Sequence, residues 1–293
     1  MLKYAILSLS LLISLSTVAQ SDLMGYGFRA GLSFAKVDGP SELGTDGAEL
    51  EQNKMSTGFH IGLTLNFKFT DIMGFRTELL YSQRGTDYEY NGPSYFALKP
   101  NNLNPPTVLR GNRRQTLNVS NSYLDVPLLV YYKIGYFEVS AGLNTGLLLS
   151  STAGGSIEFE GISPSTGGPI PSFEVNLNHN YKGDDALEAS AVNKMISVDG
   201  ISYNVPEFLG AYYDFESKDG GYYKTLDFGL NFGLAYYLND GLFLSGKYIL
   251  GLGDVTNNFY DVSRKELNPN GTLIPRADID KSSSMQFSVG FNF

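Results

Sequence analysis

Three features of this sequence predict an all-β fold, an eight-stranded antiparallel transmembrane β-barrel. Eight segments alternate apolar with small or polar side chains, the connections between them alternate in length, and the strand charges gather on one face. A period of two in side-chain polarity marks a strand with a single apolar face.

The segments run from Tyr26 to Val37, Thr57 to Phe69, Ile72 to Gly85, Thr116 to Ile134, Tyr136 to Ser151, Tyr222 to Leu238, Leu242 to Asp254 and Ser282 to Phe293. The clearest is Leu226 to Leu238, where Leu226, Phe228, Leu230, Phe232, Leu234, Tyr236 and Leu238 share a face opposite Asp227, Gly229, Asn231, Gly233 and Ala235. Connections 38–56, 86–115, 152–221 and 255–281 are long, whereas Thr70-Asp71, Gly135 and the Asp-Gly turn Asn239-Asp240-Gly241 are short. That alternation places every long loop at one end of the sheet, as in barrels with long external loops and short periplasmic turns. An even strand number then brings both chain ends to the periplasmic side.

The polar strand faces carry Arg29, His60, Lys68, Arg76, Glu78, Arg84, Asp125, Lys133, Glu138, Asp227 and Lys247. A charge facing hydrocarbon costs roughly 2–4 kcal/mol at mid-depth, so this face is expected inward. The opposite faces are nearly free of charge: Phe28, Ala30 and Leu32; Phe59, Ile61, Leu63, Leu65 and Phe67; Leu124, Val126, Leu128 and Val130. They form the expected lipid band, with Phe and Tyr at its edges in place of the missing Trp. A soluble sandwich would turn the same faces the other way, but it gives no reason for the loop alternation.

Residues 1–19 read as an export signal: Lys3, an apolar run from Tyr4 to Leu15, and small residues to Ala19. The run is short of the ~20 residues of a helical span. Residues 20–293 are expected to be a single barrel domain. No Cys is present, which removes disulfides, thiolate nucleophiles and Cys-based metal sites. A net charge of −9 argues against nucleic acid as a partner.

Taken in order, Gly74 to Gly85 (GFRTELLYSQRG), Tyr123 to Lys133 (YLDVPLLVYYK), Gly142 to Leu149 (GLNTGLLL), Leu226 to Leu238 (LDFGLNFGLAYYL) and Leu244 to Val255 (LSGKYILGLGDV) resemble the PorT-type outer-membrane β-barrel family of Bacteroidetes. The resemblance covers nearly the whole chain after the signal. It implies an outer-membrane barrel in a Gram-negative bacterium, of a group often labelled a porin family, with no catalytic residues to carry over. It also implies that Phe291 and Phe293 serve as an assembly signal for the barrel-insertion machinery.

Eight strands leave an interior about wide enough for side chains to fill. Arg29, His60, Arg76, Glu78, Asp125, Glu138, Asp227 and Lys247 are therefore expected to form a polar plug instead of a water channel. His60 lacks a local Ser motif or an evident orienting group, and no catalytic residue is expected. Acidic groups at Asp184-Asp185-Glu188, Asp214-Glu216-Asp219 and Asp278-Asp280 offer oxygen ligands for calcium, but none completes a known calcium pattern, and no metal or cofactor is expected. Residues 152–221 hold eleven acids and three bases, a net of −8. Asp184 to Met195 has helix-compatible composition, Gly154 to Gly168 reads as irregular chain, and Phe208, Tyr212, Tyr213, Phe215, Tyr222 and Tyr223 are expected to pack this loop as a lid. Arg110, Arg113 and Arg114 are expected at headgroup level, where arginine forks suit lipopolysaccharide phosphates. The resulting expectation is a non-enzymatic structural or interaction protein whose loops meet lipid, lipopolysaccharide, a ligand or a protein partner, the last through acidic loop 152–221. A small-solute channel and a lipid-modifying or proteolytic barrel are the alternatives.

Overall fold

The computed structural model describes residues 23–98, 107–190 and 192–293. The expected export signal, 1–19, lies outside them. Fourteen strands are present among the described residues: β1 Met24–Asp38, β2 Glu51–Lys68, β3 Met73–Leu98, β4 Thr107–Ile134, β5 Phe137–Ile162, β6 Phe173–Asn180, β7 Val192–Val198, β8 Ile201–Pro206, β9 Phe208–Leu209, β10 Leu226–Tyr237, β11 Leu242–Gly251, β12 Val262–Leu267, β13 Leu273–Pro275 and β14 Lys281–Asn292.

Eight of them close a ring in the order β1, β2, β3, β4, β5, β10, β11, β14 and back to β1, every pair antiparallel. The seam pairs Phe28 with Phe291, Leu32 with Phe287 and Val37 with Ser282. Closure leaves no free edge in the hydrocarbon layer, where every backbone donor needs an internal partner.

The three tight turns lie at one end. At Thr70 the side-chain oxygen accepts from the Met73 amide (3.0 Å); at Gly135 the backbone takes φ 60°; at Asn239 the side chain accepts from the amides of Gly241 and Leu242 (3.0 and 2.8 Å). Tyr26, Phe28, Phe291 and Phe293 form an aromatic patch at this end of the seam, with the Tyr26 and Phe293 rings 5.1 Å apart.

Side chains on the outer face between the turns and the level of Phe34 and Tyr81 are apolar and exposed, among them Leu32, Leu63, Val130, Leu143 and Phe287. With the protein in lipid, these are the groups that meet acyl chains. Above that level the barrel does not end. β3, β4 and β5 run on to Leu98, Thr107 and Ile162, joined by β6 and the short β9, so that a tall sheet rises out of the membrane.

Residues 86–98 and 107–115 are strand extensions instead of parts of a long loop, and Gly154 to Ile162 is strand instead of irregular chain. Beyond the lipid no face needs to be uniformly apolar, so polar residues on both faces conceal the alternation. The helix expected over Asp184 to Met195 is also absent among the described residues of that stretch. Asp184 instead accepts from the amides of Asn180 (2.9 Å) and Ala211 (2.8 Å), Leu187 takes φ 61°, and β7 begins at Val192. Tertiary contacts outweigh the weak helix propensity of that stretch.

Candidate functional site

Two layers are candidates: the barrel interior, and the folded head above it. Inside, alternation aims one side chain in two at the axis, and strand glycines leave room for the long ones. Arg29 pairs across the sheet with Gly62 and Gly290, and Lys247 with Gly233. A Cβ on Gly146 would lie 2.7 Å from both the Arg84 guanidinium and the Asp125 carboxylate.

The interior forms three linked tiers. Nearest the tight turns, Arg76 makes a fork to Glu138 (2.6 and 3.0 Å), the Tyr237 hydroxyl donates to the same carboxylate (2.9 Å), and Arg76 stacks on Tyr131. In the middle, Glu78 takes Lys247 at 2.6 Å and Arg29 at 3.3 Å, while Arg29 also donates to Gln286 and Ser288. At the top, Arg84 bridges Asp125 (2.9 Å) and Asp227 (3.1 Å) and lies over the Tyr123 ring. All eight ionised groups are buried, Asp125 at 0 % and Arg29 at 1 % exposure. Four cations face four carboxylates, so the charge of these eight groups cancels. Ion pairs with this geometry and burial contribute mainly by holding one arrangement, because desolvation offsets most of their attraction.

His60 sits between Ser33 (3.0 Å) and Ser288 (2.7 Å), with Arg29 at 3.4 Å. Its ring nitrogens meet hydroxyls and a guanidinium, and it is 1 % exposed. Such a histidine is a hydrogen-bonded member of the network.

The head has its own core. Phe96, Phe159, Phe173 and Tyr213 pack together, with the Phe96 and Phe173 rings 4.9 Å apart. Tyr212 is fully buried. Its hydroxyl donates to the Tyr181 carbonyl and accepts from the Tyr222 amide (2.9 Å), its ring lies 4.7 Å from Tyr260, and the Lys218 ammonium sits over it. Beneath this cover lies a cavity of about 100 Å³ lined by Tyr88, Tyr181, Tyr222, Glu51, Arg264 and Arg276. Its arginines are paired: Arg276 with Glu51 (2.6 Å), which also accepts from the Tyr88 hydroxyl (2.8 Å), and Arg264 with Asp214 (3.2 Å). Burial, with the Arg264 charge adding to it, lowers His179 to about 4, so it is neutral in the folded head at neutral pH.

A family model for the outer membrane protein beta-barrel domain matches residues 18–257. The chain belongs to this outer-membrane β-barrel family. Its place is therefore the outer membrane of a Gram-negative bacterium. No curated protein matches it. Among solved structures it is similar to Ail, the attachment invasion locus protein of Yersinia pestis, crystallised with the heparin analogue sucrose octasulfate (11 % identity, 92 % of this chain and 99 % of that one, TM-score 0.32). It is also similar to OprG from Pseudomonas aeruginosa (12 %, 92 % and 96 %, 0.34) and to the outer membrane protease OmpT from Escherichia coli (9 %, 94 % and 97 %, 0.34). Values this low transfer no role to this family member.

The eight residues expected in the interior, Arg29, His60, Arg76, Glu78, Asp125, Glu138, Asp227 and Lys247, are all brought inside, and Arg84 joins them. The three arginines expected at headgroup level are not together. Arg113 points inward, 3 % exposed, donating to the Tyr95 carbonyl (2.6 Å) and to Gln115. Strand parity sets this: odd positions of β4 face the core of the head, so Arg110 and Arg114 are outside and Arg113 is not. They also stand higher than expected. Ser122, bonded to Tyr81, marks the top of the apolar band, and Arg114 lies eight positions further along β4, roughly 25 Å at about 3.3 Å per residue. Arg114 contacts Glu158 at 3.3 Å, an exposed pair of little energetic weight. Of the aromatic group, Tyr212, Tyr213, Phe215 and Tyr223 are buried in the head, whereas Phe208 is partly exposed. Glu51, Arg264 and Arg276 were missed by sequence reasoning, since they meet only when two loops far apart in the chain fold against each other.

Proposed function

We propose that this barrel is a non-enzymatic, non-conducting outer-membrane protein that holds a folded extracellular head as an interaction surface. The observation that carries this reading is the filled interior. Four buried cations are matched to four buried carboxylates, which leaves the head as the surface offered to solutes and partners. The surroundings of His60, two hydroxyls and a cation without a carboxylate on the ring, support the absence of an enzymatic role. The motif series from Gly74 to Val255 supports membership of the PorT-type group of Bacteroidetes, and the patch formed by Phe291 and Phe293 supports their use as an assembly signal.

On the outer face of the head, Arg110 and Arg114 project at a height suited to the saccharide and phosphate groups of lipopolysaccharide above the lipid. Glu158, Glu160 and Glu174 lie on the neighbouring strands and give residues 152–221 an acidic face for a protein partner. Replacing Arg110 and Arg114 together by Gln is expected to reduce co-purifying lipopolysaccharide several-fold with no change in barrel folding. Unchanged lipid content, measured on protein extracted in mild detergent, rejects the lipopolysaccharide part of the reading.

A further inference from the structure

We propose that Asp261, Asp278 and Asp280 form a binding site for Ca2+ that fastens the fourth external connection to the head. Asp261 ends the turn that carries Tyr260, and Asp278 and Asp280 lie on the segment that returns to β14. One carboxylate oxygen from each lies within 4.8 Å of the others. Calcium takes oxygen ligands at about 2.3–2.6 Å, so two oxygens on opposite sides of one ion stand about 5 Å apart, and this spacing fits.

The second observation is the state of the oxygens themselves. Asp261 is 8 % exposed, yet its Oδ2 has no hydrogen-bond donor, and neither does the buried Oδ1 of Asp278. Two other oxygens of the cluster have donors. Asp278 Oδ2 accepts from Arg276 (2.9 Å), and Asp280 Oδ2 accepts from the Thr256 hydroxyl (2.8 Å). Two buried carboxylate oxygens without donors in one such cluster are costly unless a cation or a shared proton lies beside them. Local cations do not suffice: Arg276 is already divided between Asp278 and Glu51, and Lys224 is held by Asp254 (2.7 Å).

The donors choose the metal. Three carboxylates with no His among them suit a hard ion, and their irregular spacing suits the flexible calcium shell better than the strict octahedron of Mg2+. The ion would have a mechanical effect, because the Tyr260 ring packs on Tyr212 and on Phe215 (4.7 and 4.9 Å). Fixing Asp261 fixes Tyr260, and with it the cover of the cavity.

The test uses full-length protein in detergent, stripped with EDTA and titrated with CaCl2 by calorimetry. In parallel, Tb3+ reports binding through luminescence sensitised by the adjacent Tyr260. Saturable binding of one Ca2+ below about 10 mM is expected, given dissociation constants of roughly 0.1–1 mM at extracellular sites. Asp261→Asn and Asp278→Asn should each weaken it at least tenfold, whereas the control Asp185→Asn should leave it unchanged. Protease cleavage within 255–281 should rise when Ca2+ is removed from the wild type. Two results overturn the proposal: no heat and no sensitised luminescence in the wild type, or calcium binding that survives both substitutions in variants whose barrel still folds. The wild-type measurement decides even if a variant misfolds.

Discussion

Replacing Glu78 by Gln is expected to destabilise the folded barrel by about 3–5 kcal/mol, the cost of leaving buried charge without its partner. Glu78 is the shared acid of the middle tier, with Lys247 at 2.6 Å and Arg29 at 3.3 Å, all three nearly inaccessible to water. The neutral amide keeps the volume but cancels neither cation. Removing the whole group, Glu78→Leu with Lys247→Met and Arg29→Met, is expected to recover most of the loss, since apolar side chains of similar size need no compensation. Urea unfolding in lipid vesicles, followed by the gel mobility of the heat-sensitive folded form, measures both. A loss below about 1 kcal/mol in the single variant would mean that the interior charges are solvated and not matched to each other.

Tyr212→Ala is the second substitution with a large effect, and its effect is local. The ring is fully buried between Tyr260, Phe215 and the Lys218 ammonium, and its hydroxyl joins the Tyr181 carbonyl to the Tyr222 amide. Truncating a buried aromatic to Ala costs roughly 3–5 kcal/mol. Here that loss falls on the head, so amide exchange in 208–223 should accelerate by more than a hundredfold while the barrel keeps its folded gel mobility. Tyr212→Phe, which loses the hydrogen bonds alone, should cost about 1–2 kcal/mol. Unfolding of the barrel and the head together in Tyr212→Ala would show that they form one cooperative unit instead.

The part of the molecule within lipid was legible because the membrane imposes a simple rule. Outer positions such as Leu63 and Val130 must be apolar and inner ones such as Arg76 and Asp125 need not be, so the alternation is written into the chain. Above the lipid that rule lapses. Along β4 the outward series Arg110, Asn112, Arg114 is as polar as the inward pair Arg113 and Gln115, and sequence reasoning saw a loop where a strand continues. The arginines were accordingly misplaced, one of them buried and two of them too high. The helix expected near Asp184 failed for a different reason: a side chain that could have capped a helix instead ties Asn180 to Ala211. Asp261 was not recognised beside Asp278 and Asp280, because residues 262–277 separate it from the first of them and the hairpin of β12 and β13 brings them together.

The central claim is that matched charges close the interior, and single-channel recording in planar lipid bilayers tests it most directly. Refolded protein should give no discrete current steps at physiological salt, with Arg29, Arg76, Arg84 and Lys247 each locked to a carboxylate across the lumen. Reproducible, substantial conductance steps in the wild-type protein would contradict the account and make the barrel a channel.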